Sequence, residues 1–343
     1  MSSLAGSAAT PADVHAIEEI MRRGGPALRE RMARAEAHLE RVTAQAGVPL
    51  ASHATATVVA GGKRLRPLLV MVAAEAAGPV DDREREQALI RAAVAVELVH
   101  SATLVHDDLI DGASLRRGRP TVAAVAGRAT AVATGDLLFS CAFAELARNG
   151  DAEQLQALSD ASSALARGEL LQREDAYAAD IAVERYLERC RLKTAALFEA
   201  SCRLGALVAA GGDLELAGSL GEFAGQIGLA FQLLDDVLDV SGPAQRTGKA
   251  RGTDLLDGTV TLPLILARAH DERIAQVDLA SLHSPDSAER LCELIAATGT
   301  LEQARARALS IVAEAKESLP AALGEGRHEL LALVADAVVE RYC

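Results

Sequence analysis

"LIRAAVAVELVHSATLVHDDLID", residues 89–111, decides the fold. Alanine, valine and leucine dominate it, so it reads as one long apolar helix that ends in three aspartates. Asp107 and Asp111 are four apart, which sets their carboxylates a turn apart on one face, with Asp108 beside them. Like charges at that spacing destabilise a helix. A divalent cation resolves the conflict: Mg²⁺ takes one or two carboxylates and completes its shell with water and ligand phosphate. For this cluster alone, a solvated acidic helix end is an equal alternative.

A second cluster tips the balance. "AGQIGLAFQLLDDVLDVSG" repeats the DDxxD pattern as Asp235, Asp236 and Asp239, again late in an apolar helix. Partly buried carboxylates need partners. Two such helices facing one cavity would hold several metals around one polyphosphate. Cations stand where that ligand needs them. "GGKRLRP" carries Lys63, Arg64 and Arg66 after a Gly pair, and the spacing predicts Lys63 and Arg66 on one helical face. "LRRGRP" adds Arg116, Arg117 and Arg119, "RLKTAALFEA" adds Lys193 with Thr194, and "TGKARGTD" adds Lys249. Arginine forks suit bidentate diphosphate binding, and lysines act as point charges.

Outward from these motifs the chain is uniformly helical in pattern. In "ALRERMARAEAHLERVTA", Leu28, Met32, Ala35, Leu39 and Val42 fall on one face. Breaks are expected at Gly61–Gly62, Gly78–Pro79, Arg117–Pro120, Asn149–Gly150, Gly211–Gly212, Ser241–Pro243 and His283–Pro285. Alternating stretches of strand length are absent. The expectation is an all-α protein of about a dozen helices: residues 1–12 disordered, then one domain over 13–343. The composition, 50% hydrophobic and 24% charged over 343 residues, supports a large core. A net charge of −13 and 2% aromatic residues argue against a nucleic-acid partner. Five scattered cysteines, Cys141, Cys190, Cys202, Cys292 and Cys343, suit a reducing compartment. The N-terminus shows no signal-peptide pattern, and no apolar run is read as long enough for a membrane span, so a cytoplasmic location is expected.

The motifs, in order "GGKRLRP", "HDDLIDGASLRRGRPT", "KTAALF", "GLAFQLLDDVLD" and "GKARGTDLLDGTVTLP", resemble the all-trans-polyprenyl diphosphate synthases over roughly residues 55–270, and "VADAVVERYC" resembles that family's last helix. The resemblance implies a helical bundle around a deep central cavity, assembled as a homodimer. It implies that Asp107, Asp111 and Asp235 ligate three Mg²⁺ on an allylic diphosphate, with Asp108 and Asp239 supporting. Arg116, Lys193 and Lys249 would grip that diphosphate. Lys63, Arg66, His100 and Arg117 would hold isopentenyl diphosphate, and Thr194 and Gln232 would face the reacting carbons. His106 has no such support and is read as structural. Thr259 departs from the pattern, since many relatives carry a second lysine there.

The implied reaction is head-to-tail prenyl transfer. Family members with a bulky aromatic near the positions of Ala102 and Thr103 close the cavity floor early; both residues here are small. With the two-residue spacer in "DDLID" and "GELLQ" at 168–172, they imply a product longer than geranylgeranyl diphosphate, and transient membrane contact for its release. The alternatives are a farnesyl- or geranylgeranyl-length synthase and a class I terpene cyclase of the same fold. A cyclase binds one diphosphate, which leaves "GGKRLRP" and Arg117 unexplained.

Overall fold

The computed structural model describes residues 11–45, 47–60, 62–178, 180–210, 213–242 and 251–340. Helix follows helix: α1 (Pro11–Arg23), α2 (Gly25–Ala44), α3 (Leu50–Val59), α4 (Leu65–Ala77), α5 (Arg83–Ile110), α6 (Val122–Ala147), α7 (Ala152–Glu174) and α8 (Val183–Cys190). A π-helical turn, Arg191–Ala195, leads into α9 (Ala196–Ala210) and α10 (Leu214–Ser241). The C-terminal part holds α11 (Thr253–Leu256), α12 (Leu262–His270), α13 (Glu272–Ala275), α14 (Pro285–Ala297), α15 (Thr300–Glu317) and α16 (Glu325–Glu340). Side-chain caps mark several starts: Asp82 accepts from the Arg85 amide at 2.8 Å and Asp213 from the Leu216 amide at 3.0 Å.

The all-α reading holds, with two small differences. Helix α1 begins at Pro11, inside the segment expected to be disordered; residues 1–10 lie outside the described residues. A two-residue antiparallel pair, β1 (Leu115–Arg116) with β2 (Arg119–Pro120), forms a tight hairpin where only a break was expected. The hairpin forms because Arg117 and Gly118 both take left-handed φ, 52° and 73°, as a type I′ turn demands.

Helix α9 is the hub, packed by α4 and α10, with α5 and α7 on further sides. Gly205 makes the α4 contact possible: a Cβ there would stand 2.0 Å from the Val70 carbonyl oxygen. Leu28, Ala35 and Leu39 are buried as their spacing predicts, while Met32 and Val42 are partly buried against the same core.

The membrane expectation needs correction. Helices α5 and α6 each contain an 18-residue window with mean hydropathy 1.6 and 1.3, long and apolar enough to cross a membrane. Alanine and valine make them so despite scattered polar residues. The α5 window is 72% buried, as a core helix should be; the α6 window is 28% buried and leaves Val125 and Val132 exposed.

Candidate active site

The last turn of α5 presents three carboxylates in three situations. Asp108 is buried and accepts from Arg116 Nε at 2.6 Å, because the β1–β2 hairpin folds Arg116 back over the helix end. Asp111, capping the helix, accepts from Arg173 of α7. Asp107 is raised to about 6 by burial; Lys193 opposes the shift, and Glu169 and Asp111 add to it.

Lys193 and Thr194 lie on the π turn, a distortion that often marks functional sites. Two glycines let helices close on it. A Cβ on Gly168 of α7 would lie 2.7 Å from the Lys193 amide nitrogen, and one on Gly228 of α10 would lie 2.8 Å from Ala195 Cα. The Lys193 ammonium pairs with Glu169 of α7. Thr194 Oγ1 donates to Gln232 Oε1 at 2.6 Å, and Gln232 Nε2 donates to Asp236 Oδ1 at 2.7 Å. Tyr186, fully buried on α8, donates to the other Asp236 oxygen at 2.6 Å. Both oxygens of Asp236 are thus held within the protein. Burial first, then the charge of Asp254, raises Asp236 to about 7. Asp235 is exposed, and Asp239 Oδ2 accepts from the Asp254 amide at 3.3 Å. The two acidic motifs therefore flank one π turn: Asp107 feels Lys193, and Thr194 is tied to α10 one turn before Asp236.

A second cationic group gathers at the α4 entrance. Here the expectation of Lys63 and Arg66 on one helical face fails, because Lys63 precedes α4 and Arg64 takes a left-handed φ of 49° at its N-cap. That geometry turns Arg64 inward, where it donates to Glu36, Glu97 and the Val58 carbonyl, each at 2.8 Å. Arg64 is a structural tether. Arg66 lies 5.1 Å from the Phe198 ring centroid, and its Nε is buried without a hydrogen-bond partner. Burial lowers Arg66 to about 10, with Glu97 opposing and Arg117 assisting. The Arg117 guanidinium lies against Gly62, where a Cβ would meet Nη1 at 3.2 Å. His100 is driven well below its usual range, first by burial and then by the positive charges of Arg66, Arg117, Arg116 and Arg64. Lys249 lies outside the described residues. His106 packs on α6, with its ring centroid 6.0 Å from that of Phe139.

Ala102 is completely buried, whereas Thr103 keeps some accessible surface and bonds the His100 carbonyl at 2.8 Å. A cavity of about 880 Å³ lies between α7, the π turn, α9, α10 and α15, walled by Asp160, Leu192, Ala195, Glu199, Gln226 and Ile311. None of the aspartates of the two motifs lines it.

Among the described residues no three acidic, histidine or cysteine side chains converge tightly enough to hold an ion as they stand. Arg116 and Arg173 draw Asp108 and Asp111 toward themselves. The donor set nonetheless fits Mg²⁺: hard carboxylate oxygens, one of them raised to about 6 by burial with like charges adding, a condition that a bound cation relieves. Sequence reasoning missed Glu169, Arg173, Glu97 and Tyr186. The i, i+4 pairing of Glu169 with Arg173 was visible in the chain, but nothing local said which motif it would meet.

The family model described as polyprenyl synthetase matches residues 48–297. The chain belongs to the polyprenyl synthetase family. It is accordingly a prenyltransferase. Heptaprenyl diphosphate synthase component 2 of Geobacillus stearothermophilus is 41% identical over 283 residues, 82% of this chain and 86% of that one. Geranylgeranyl diphosphate synthase of Methanosarcina mazei is 36% identical over 294 residues, 83% of this chain and 87% of that one. The crystal structure of polyprenyl synthase from Caulobacter crescentus complexed with calcium and isoprenyl diphosphate matches with a TM-score of 0.84 and 34% identity, covering 94% of this chain and 98% of that one. Relatives named for such different products leave chain length open.

Proposed function

We propose that the protein adds isopentenyl diphosphate head-to-tail to an allylic diphosphate in a Mg²⁺-dependent reaction, releasing a trans-polyprenyl diphosphate longer than geranylgeranyl. One observation carries this reading: cations reach the end of α5 in two sets, one beside the carboxylates and one beside His100, with Arg116 acting on both. Lys193 and Arg116 stand among the carboxylates, while Arg66 and Arg117 gather around His100. Two anionic heads need two such groups; a cyclase needs one.

Asp107, Asp111 and Asp235 would hold Mg²⁺, three ions on the family pattern, with Asp108 and Asp239 supporting. When bound, divalent metal supplies Lewis-acid stabilisation of the departing diphosphate. Lys193, Arg116 and Lys249 take up negative charge as the allylic C–O bond breaks. Lys63, Arg66, Arg117 and His100 fix isopentenyl diphosphate, His100 through a ring N–H. Thr194 and Gln232, already bonded to each other, present polar oxygens beside the allylic cation. The isopentenyl double bond attacks it, and a proton leaves to the released diphosphate, since no protein base stands out. Helices α4, α5, α9 and α10 exclude water from the cation.

Thr103, rather than the fully packed Ala102, is the position whose side chain can gate the growing chain. The exposed apolar residues of α6 support a homodimer, and the greasy product is the ground for transient membrane contact on release. The test uses purified protein, Mg²⁺, labelled isopentenyl diphosphate and each allylic primer in turn. Chain-elongated, metal-dependent products support the proposal; hydrocarbon from a single prenyl diphosphate supports a cyclase. Activity that appears only with a second added subunit would extend the likeness to the relative named component 2.

A further inference from the structure

Four charged side chains from three elements form a continuous chain across the site. Asp111 at the end of α5 accepts from Arg173 of α7. Arg173 Nε also reaches Glu169 Oε1 at 3.3 Å, one turn earlier on α7. The other oxygen of Glu169 holds the Lys193 ammonium on the π turn. One end of this chain is a carboxylate assigned to metal, and the other is a cation assigned to diphosphate. Neither of the two α7 residues between them has a role in the proposed chemistry.

The contacts make two demands. A cation at Asp111 competes with the Arg173 guanidinium for the same carboxylate. Lys193 cannot turn to a diphosphate while Glu169 holds it. A guanidinium freed from Asp111 has Glu169 beside it and can engage both carboxylate oxygens, the geometry arginine favours. That engagement competes directly with Lys193.

We propose that Arg173 is a positioning residue that couples cation binding at Asp111 to release of Lys193 from Glu169. The exchange rests on the metal reading of Asp111. It conserves charge pairing throughout, since Arg173 passes from one carboxylate to another. The Arg173–Asp111 pair is partly exposed, with side chains 41% and 40% accessible, so it is weak enough to be exchanged, whereas Glu169 is only 12% accessible and gives up Lys193 only when Arg173 replaces it.

The experiment compares the parent protein with Arg173→Gln, Arg173→Lys and Arg173→Gln combined with Glu169→Gln. Mg²⁺-dependent thermal stabilisation is measured without substrate, and the allylic KM and kcat are measured separately. Arg173→Gln removes the competitor, so half-maximal stabilisation needs about three- to fivefold less Mg²⁺. Its allylic KM rises several-fold because Lys193 stays on Glu169; adding Glu169→Gln restores the KM, and Arg173→Lys is intermediate. A parent that responds to Mg²⁺ alongside an Arg173→Gln variant with unchanged midpoint and KM overturns the exchange alone. A parent without any Mg²⁺ response overturns the metal reading and the exchange together.

Discussion

Asp107 carries a cost in stability that the proposed metal role would explain. Its carboxyl sits at about 6 in the folded protein against an ordinary value of 3.8. The folded state therefore binds the proton more tightly, and the group's contribution to stability declines as pH rises from about 4 through 6. Above that window the penalty is complete, roughly 1–3 kcal/mol after discounting for partial solvent access. Asp107→Asn should thus raise the metal-free melting temperature at pH 7.5 and flatten its pH dependence between 4 and 6, while prenyl transfer falls by roughly hundredfold or more. A variant no more stable than the parent would show that Lys193 and Arg116 already compensate the charge. Tyr186 poses the opposite case, a hydroxyl whose role is support. Tyr186→Phe deprives buried Asp236 of one of its two donors and should cost about 1–3 kcal/mol in denaturant unfolding. Asp107 was legible in the chain because its motif is local. Tyr186 was not, because its partner lies 50 positions away on another helix.

The π turn is the element on which the site depends. Periodicity announced helix on both sides of Lys193, yet a five-residue helical distortion leaves no mark in apolar spacing. Gly168 and Gly228 are its visible traces, each placed where a neighbouring helix must approach backbone. Gly228→Ala forces a Cβ to within 2.9 Å of Phe198 Cβ and should destabilise the protein by about 1–3 kcal/mol, with a loss of kcat. Unchanged unfolding and turnover would mean that α10 can retreat without disturbing Thr194. Along α5, Thr103→Phe should shorten the product by closing the accessible wall one turn below Asp107. Ala102→Phe should chiefly destabilise, since that site is already filled. Chromatographic sizing of products separates the two, and an identical distribution for Thr103→Phe would move the floor elsewhere. The mistaken placement of Lys63 and Arg66 on one face has a similar origin: the motif is visible, but the left-handed Arg64 that starts α4 between them is not.

Taken as one molecule, the protein is a bundle with an uncovered side. Helix α6 carries Val125 and Val132 in contact with solvent, at 61% and 40% exposure, within an apolar window mostly unburied. Isolated exposed apolar residues are ordinary, but a helix this apolar calls for a covering surface. Val132→Asp should convert a dimer to monomers in analytical ultracentrifugation; a parent that sediments as a monomer would remove the basis for the dimer. The local chemistry of the chain dictated helices throughout, two aspartate motifs and their accompanying cations, because helical periodicity and motif spacing are short-range properties. Packing settled which charge meets which: Arg64 withdrew to Glu97, Arg173 joined Asp111 across 62 positions, and Lys193 came to rest on Glu169. Such pairings depend on how helices lie against one another, and no stretch of sequence shorter than the fold contains that information.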